Sequence, residues 1–138
     1  MNKHFIGDII FEFNKTLKIE IEREFKPLNI GAGQLAILLK LYEHKNNTLR
    51  QSELVSILGI DKSNASRNIT KLEEKGLVEV FHINKRDKGV KLTERSENYK
   101  KKVIFSLKSI SEKMTKDISL DDLTVVFRVI QQMNKNLE

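Results

Sequence analysis

Residues 49–93 constrain this chain more than any other stretch. Leu54, Ile57 and Leu58 place an inward stripe on a short helix over about 51–58, and Gly59 offers the left-handed residue that ends it. Asp61 or Ser63 then supplies an oxygen to the free N–H groups of a second helix, about 62–75. On that helix Ala65, Ile69 and Leu72 form the buried stripe, and Ser63, Asn64, Ser66, Arg67 and Lys71 fall mostly toward solvent. Gly76 closes it. Residues 77–81 and 89–92 alternate as short strands around a basic, polar loop at 82–88. Helix, tight turn, helix and β hairpin in this order form a winged helix-turn-helix, whose second helix has the shape to enter a DNA major groove.

Charge falls on the same stretch. The chain carries 25 Lys/Arg and 19 Asp/Glu, a net charge of +6. Residues 1–44 hold six of each sign and residues 103–138 hold five of each, so both are neutral. Residues 45–102 hold 14 basic and 8 acidic side chains and carry the whole excess. A basic surface of this kind attracts polyanions, whether nucleic acid, acidic membrane or an acidic protein.

Long amphipathic helices flank the unit. Phe5, Ile6, Ile9, Ile10, Phe13, Leu17, Ile21 and Phe25 recur at three- and four-residue steps and predict a helix over about 3–25, closed by Pro27. Gln34, Ile37, Leu38, Leu41 and Tyr42 pattern another over 31–44. Thr93 caps a helix over about 94–115 with the stripe Tyr99, Val103, Leu107, Ile110 and Met114. The run from Ser119 to Asp122 resembles a capping box with Asp in the usual Glu place, and opens a last helix to about 136 with Leu123, Val126, Phe127, Ile130 and Met133 inside. Phe5, Phe11, Phe13, Phe25, Phe105 and Phe127 read as core rather than as a ligand box, the alternative being that a few line a pocket between the dimer helices and the winged unit. The central unit is too small to cover so much apolar helix, and mutual burial in a homodimer would cover it. Folding back on the winged unit within one chain is the alternative. The expected architecture is mainly α with a small β wing. It is a single domain over 1–138, with winged unit 31–93 between dimerisation helices at 1–30 and 94–138.

Several functions lack the residues they need. With no cysteine there is no disulfide, thiolate zinc site or cysteine-based redox sensing. His4, His44 and His82 lie far apart and form no ligand spacing. Glu73 with Glu74, and Asp121 with Asp122, diverge around a helix and cannot work as catalytic pairs. No phosphate-binding or dinucleotide loop is present, so no enzyme, cofactor or metal is expected. Asp8 and Glu12 interrupt the apolar residues 5–13, which form neither a signal peptide nor a membrane span; a cytoplasmic protein is expected.

The chain resembles the MarR family of bacterial transcription regulators. The residues that carry the resemblance are Gln51, Glu53 and Leu54; Leu58, Gly59 and Ile60; Ser63, Ser66 and Arg67; Leu72, Glu73, Lys75, Gly76, Leu77 and Val78; Arg86; and Leu92 and Thr93. The helix order matches too, including the Gln34 helix, so the resemblance spans essentially the whole chain. It implies a bacterial or archaeal homodimer on pseudo-palindromic double-stranded DNA, usually a repressor, often released by a small-molecule effector. Some relatives bind zinc, but although Glu24 and His44 are present, no histidine lies on the 94–115 helix to complete a site. Two positions depart from the pattern. Asn84 stands where the wing aspartate is expected, so Arg86 loses an ionic partner and the wing is either looser or oriented by Asp87. Arg50 replaces the usual Thr or Ser at the start of the third helix, losing a cap and gaining a cation for phosphate.

The expected DNA-binding residues divide by chemistry. Ser63, Asn64, Ser66 and Arg67 are placed to meet base edges; Asn suits adenine and Arg suits guanine, and Gln51 on the preceding helix is a further expected DNA contact. Arg50, Lys62 and Lys71 suit phosphate. Lys85, Arg86 and Lys88 lie on the wing, with Arg86 the candidate for the minor groove. Plainer uses exist: Ser63 as a helix cap, Arg67 in an ion pair with Glu53 or the wing. Lys100, Lys101 and Lys102 read as the outer face of a helix. Two rival functions use the same face: a protein-interaction module for an acidic partner, and sequence-indifferent architectural DNA binding.

Overall fold

The computed structural model describes residues 5–138. Residues 3 and 4, where the first helix was expected to begin, lie outside that range, as does His4. Six helices and a three-stranded sheet follow in order: α1 (Ile6–Phe25), α2 (Ala32–Glu43), β1 (Thr48–Arg50), α3 (Gln51–Leu58), α4 (Lys62–Glu74), β2 (Val78–His82), β3 (Lys88–Leu92), α5 (Glu94–Met114) and α6 (Leu120–Leu137). A single 3-10 turn, Lys26–Leu28, carries Pro27 near its start and joins α1 to α2. It ends on Asn29 in the left-handed conformation (φ 54°).

Local chemistry sets the boundaries. The Asp61 carboxylate accepts the Asn64 N–H at 2.7 Å, so Asp61 and not Ser63 caps α4. Gly59 (φ 62°) and Gly76 (φ 73°) take the left-handed positions after α3 and α4, where a side chain would be strained. Ser119 caps α6 by accepting the Asp122 N–H at 3.1 Å. Thr93 has two tasks: its hydroxyl accepts the Ser96 N–H at the start of α5 and donates to the Gly76 carbonyl at 2.6 Å. Arg50 has no side-chain oxygen, yet the cap of α3 is not wholly lost, because Glu53 accepts the Arg50 N–H at 3.0 Å.

The sheet order is β1-β3-β2, all antiparallel. β1 is a strand that the sequence reading does not predict. Its three residues are too few to show alternation, and only pairing with β3 (Leu49 opposite Val90) defines it. Phe81 lies opposite Gly89, and its ring occupies the space a Cβ there would take.

The core lies in the winged unit and the adjoining ends of α1 and α5. Phe25, Ile37, Leu38, Leu41, Leu54, Ala65, Leu72, Leu77, Val90 and Val103 are fully or almost fully buried. Several expected core positions are not. Ile57 is half exposed, because α3 is short and only the Leu54 side of it meets the core. On α6 no residue is buried; Val126, Phe127 and Ile130 face outward, as do Phe5 just before α1, Phe11 and Phe13 on α1 and Phe105 and Met114 on α5. Of the six phenylalanines read as core, Phe25 alone is buried in the single chain. Along the predicted stripes the periodicity is right, but no other element among the described residues covers them, whereas Phe105 lies off the α5 stripe. No helix among the described residues is long and apolar enough to cross a membrane.

Candidate nucleic-acid interface

The exposed side of α4 forms a shallow groove lined by Lys62, Ser63, Ser66, Arg67, Thr70, Lys71 and Glu74. A second depression is lined by Gln51, Ser52, Val55, Lys62 and Arg86, and a third by Ser52, Asn84, Lys85, Arg86 and Asp87. Lys62 belongs to the first and second, and Arg86 to the second and third. The fold therefore joins the start of α3, the outer face of α4 and the wing into one continuous surface, although the sequence separates them by up to 35 residues.

Eight of the eleven expected residues line it: Gln51, Lys62, Ser63, Ser66, Arg67, Lys71, Lys85 and Arg86. Arg50 is exposed at the end of β1 and Lys88 at the start of β3, beside the groove rather than in it. Asn64 is half-buried; its Oδ1 accepts from Asn68 Nδ2 at 2.7 Å, so that oxygen already has a partner. Arg67 is exposed and forms no ion pair among the described residues. Its guanidinium, with five N–H donors, is free for an external acceptor. Glu74 closes the far end of the groove and would repel a polyanion there.

The wing is held in a way the sequence only hinted at. Asn84 Oδ1 accepts two backbone N–H groups, from Arg86 at 2.8 Å and Asp87 at 2.9 Å, and folds the loop tip on itself. Asp87 reaches α3, where Oδ2 accepts the Ser52 hydroxyl at 2.6 Å and Oδ1 accepts the Ser52 N–H at 3.3 Å. Oδ1 also accepts the Lys88 N–H at 2.9 Å. The Ser52 hydroxyl, the Lys88 and Ser52 N–H groups and nearby Arg50 hold the Asp87 carboxyl below its ordinary range. Of the two options for a wing without the usual aspartate, orientation by Asp87 is the one realised. Asp87 thus fixes the wing without engaging Arg86, whose side chain has no carboxylate partner among the described residues. Ser52 and Thr70 gave no signal beyond being polar, and Ser52 matters only through its meeting with Asp87, 35 positions away.

Lys100 stands over the Tyr42 ring at 5.4 Å and Lys102 over Tyr99 at 5.7 Å, so both serve the α2–α5 side rather than the groove. Burial pushes the Tyr42 phenol up to about 12, with Glu97 adding to the effect. On the far side of the molecule Glu20 of α1 accepts from Lys113 of α5 at 2.7 Å and from Arg23 at 2.8 Å. Among the described residues no three His, Asp or Glu side chains come together as a metal cage.

The MarR family model matches residues 30–88. A relative described as an uncharacterized HTH-type transcriptional regulator, YybA of Bacillus subtilis, is 30% identical over 122 residues, which is 83% of this chain and 77% of the relative. The crystal structure of a MarR transcriptional regulator from Methanosarcina mazei Go1 superposes with a TM-score of 0.87 at 26% identity, over 99% of this chain and 91% of that one. A mutant MarR from E. coli, complexed with operator DNA, superposes with a TM-score of 0.81 at 21% identity, over 93% and 92% of the two chains.

Proposed function

This chain belongs to the MarR family of transcriptional regulators, and from that premise we propose that it is a homodimeric, sequence-specific DNA-binding repressor released by a small-molecule effector. Each protomer lays α4 in one major groove and wing 82–88 in the flanking minor groove. The two recognition helices then lie roughly one helical turn apart, about 34–36 Å. The observation that carries this reading is the continuous groove from Lys71 through Lys62 and Gln51 to Arg86, with exposed hydroxyls and an unpaired guanidinium along α4. In that groove Arg67 and Ser66 read base edges, Lys62 and Lys71 hold phosphate, and Arg86 enters the minor groove. That the same fold was solved on operator DNA in the E. coli protein supports DNA as the partner of this surface.

Homodimerisation is supported by the uncovered stripes. Phe127 is 68% exposed in the single chain and continues the apolar face of α6, and Met114, 43% exposed, ends the apolar stripe of α5. So much uncovered apolar surface marks an interface. The units are the dimerisation helices at 1–30 and 94–138 and the DNA-binding region at 31–93, acting together as one domain in the cytoplasm of a bacterial or archaeal cell. An effector acts by preferring a dimer with a different helix spacing, since a ligand shifts an equilibrium only by its differential affinity for the two states.

The test is selection of random duplexes on the purified protein at ~150 mM salt. Enrichment of a pseudo-palindrome with half-sites about 10 bp apart is expected. Tight binding without enrichment would instead make this an architectural protein, and no duplex binding would make the basic face a dock for an acidic protein.

A further inference from the structure

The proposed function does not use Lys75, yet its ammonium sits at a junction of three parts of the chain. It follows the last residue of α4, with a half-buried side chain. Its Nζ donates to the Asn29 carbonyl and to Gln34 Oε1. Asn29 is the left-handed residue between α1 and α2, and Gln34, only 6% exposed, lies in the first turns of α2. Among the described residues no carboxylate pairs with Lys75. Burial, with nearby Lys71, lowers its pKa. A partly desolvated ammonium satisfied by neutral oxygens gains little net stability, but it fixes geometry, because charged hydrogen bonds weaken steeply when misaligned.

The neighbouring contacts give the direction of that geometry. Glu22 of α1 accepts the Ala32 N–H at 3.0 Å and so holds the same linker from the α1 side. One residue after Lys75, the Gly76 carbonyl accepts from Thr93 at the start of α5. The C-terminal end of the recognition helix is thus tied to α1 and α2 through Lys75 and to α5 through Gly76.

We infer that Lys75 is a positioning residue that fixes the angle of α4 relative to the α1–α5 frame, and thereby the spacing between the two half-sites a dimer can read. It touches no DNA. This inference rests on the dimeric reading above. Loosening the tie leaves each recognition helix intact but lets it swing, so one half-site is bound as before and the paired site less well.

The test measures affinity for a single half-site and for duplexes whose two half-sites are separated by different numbers of base pairs. The variants are Lys75→Met, Lys75→Arg and Gln34→Leu. Lys75→Met is expected to bind the optimally spaced site about tenfold more weakly, the loss of a charged hydrogen bond expressed as affinity. Its half-site affinity and salt dependence stay unchanged and its spacing preference broadens. Lys75→Arg restores the preference in part. Gln34→Leu reproduces the broadening without touching the cation, which guards against a Lys75→Met chain that fails to fold. Unchanged spacing profiles in both variants would overturn the inference, and so would equal losses on half-site and full site. Wild-type protein with no spacing preference would instead overturn the dimeric reading itself.

Discussion

The winged unit and the helices that flank it treat apolar residues in opposite ways. From α2 to β3 the stripes meet each other: Leu38, Leu41, Leu54, Leu72 and Val90 are fully buried within one chain. Along the first half of α1 and the whole of α6 stripes of equal regularity stay open, with Ile9, Ile10, Phe13, Val126, Phe127 and Ile130 outward. Periodicity alone cannot separate the two cases. It says which face of a helix is apolar, not whether the chain itself supplies the cover. The winged unit is held by its own contacts, and the flanks are what the proposed second copy would cover.

The sharpest way to break that contrast is to charge the open face. Phe127→Asp buries a carboxylate in the proposed interface without touching the winged core. The protein should sediment as a folded monomer, and affinity for a two-half-site duplex should fall by about 100- to 10,000-fold, the span lost when a second linked contact is removed. A Phe127→Asp protein that stays dimeric would remove the contrast. Leu72→Ala attacks the other region. It should cost about 2–5 kcal/mol in denaturant unfolding, the usual range for a buried leucine. That loss should be the same at every protein concentration, whereas a milder Phe127→Ala should show its loss mainly at low concentration.

Smaller effects sharpen the site. Arg86→Ala should weaken operator binding by about tenfold and reduce the salt slope by about one. Binding equal to wild type would show that the wing stays out of the groove. Ser119→Ala should cost about 1 kcal/mol, the value of a helix N-cap, and serves as a gauge of how firmly α6 is held. The Asp87 latch is the most subtle. Its carboxyl has a lower pKa folded than unfolded, so its contribution is complete above the ordinary carboxylate range and is lost as pH falls through the depressed folded value. The Ser52 amide resonance should hold steady from neutral pH through the ordinary carboxylate range and move only below it. Movement near neutral pH would contradict the latch.

Much of this was legible in the sequence because the signals were local. Gly59, Asp61, Gly76 and Thr93 punctuate α3, α4 and α5 within a few residues of themselves. The positions that escaped depend on distant meetings. β1 exists only because Leu49 finds Val90, and Asp87 matters only because Ser52 lies under the wing. Ile57 kept the helical period but faced water, since a two-turn helix presents only a narrow face to the core. Asn64 looked like a free reader until Asn68, one turn on, donated to its side-chain oxygen. In the groove, charge and exposure could be read from sequence, but the union of Gln51, Lys62 and Arg86 in one depression is a product of the fold.

In the proposed assembly two copies of this chain, joined through the open faces of α1, α5 and α6, place two recognition helices on one duplex. Sedimentation equilibrium of the protein with a short duplex carrying one selected pseudo-palindrome measures this directly. A complex of two chains per duplex is expected across a wide range of protein excess. One chain per duplex, or a number that keeps rising with added protein, would contradict it.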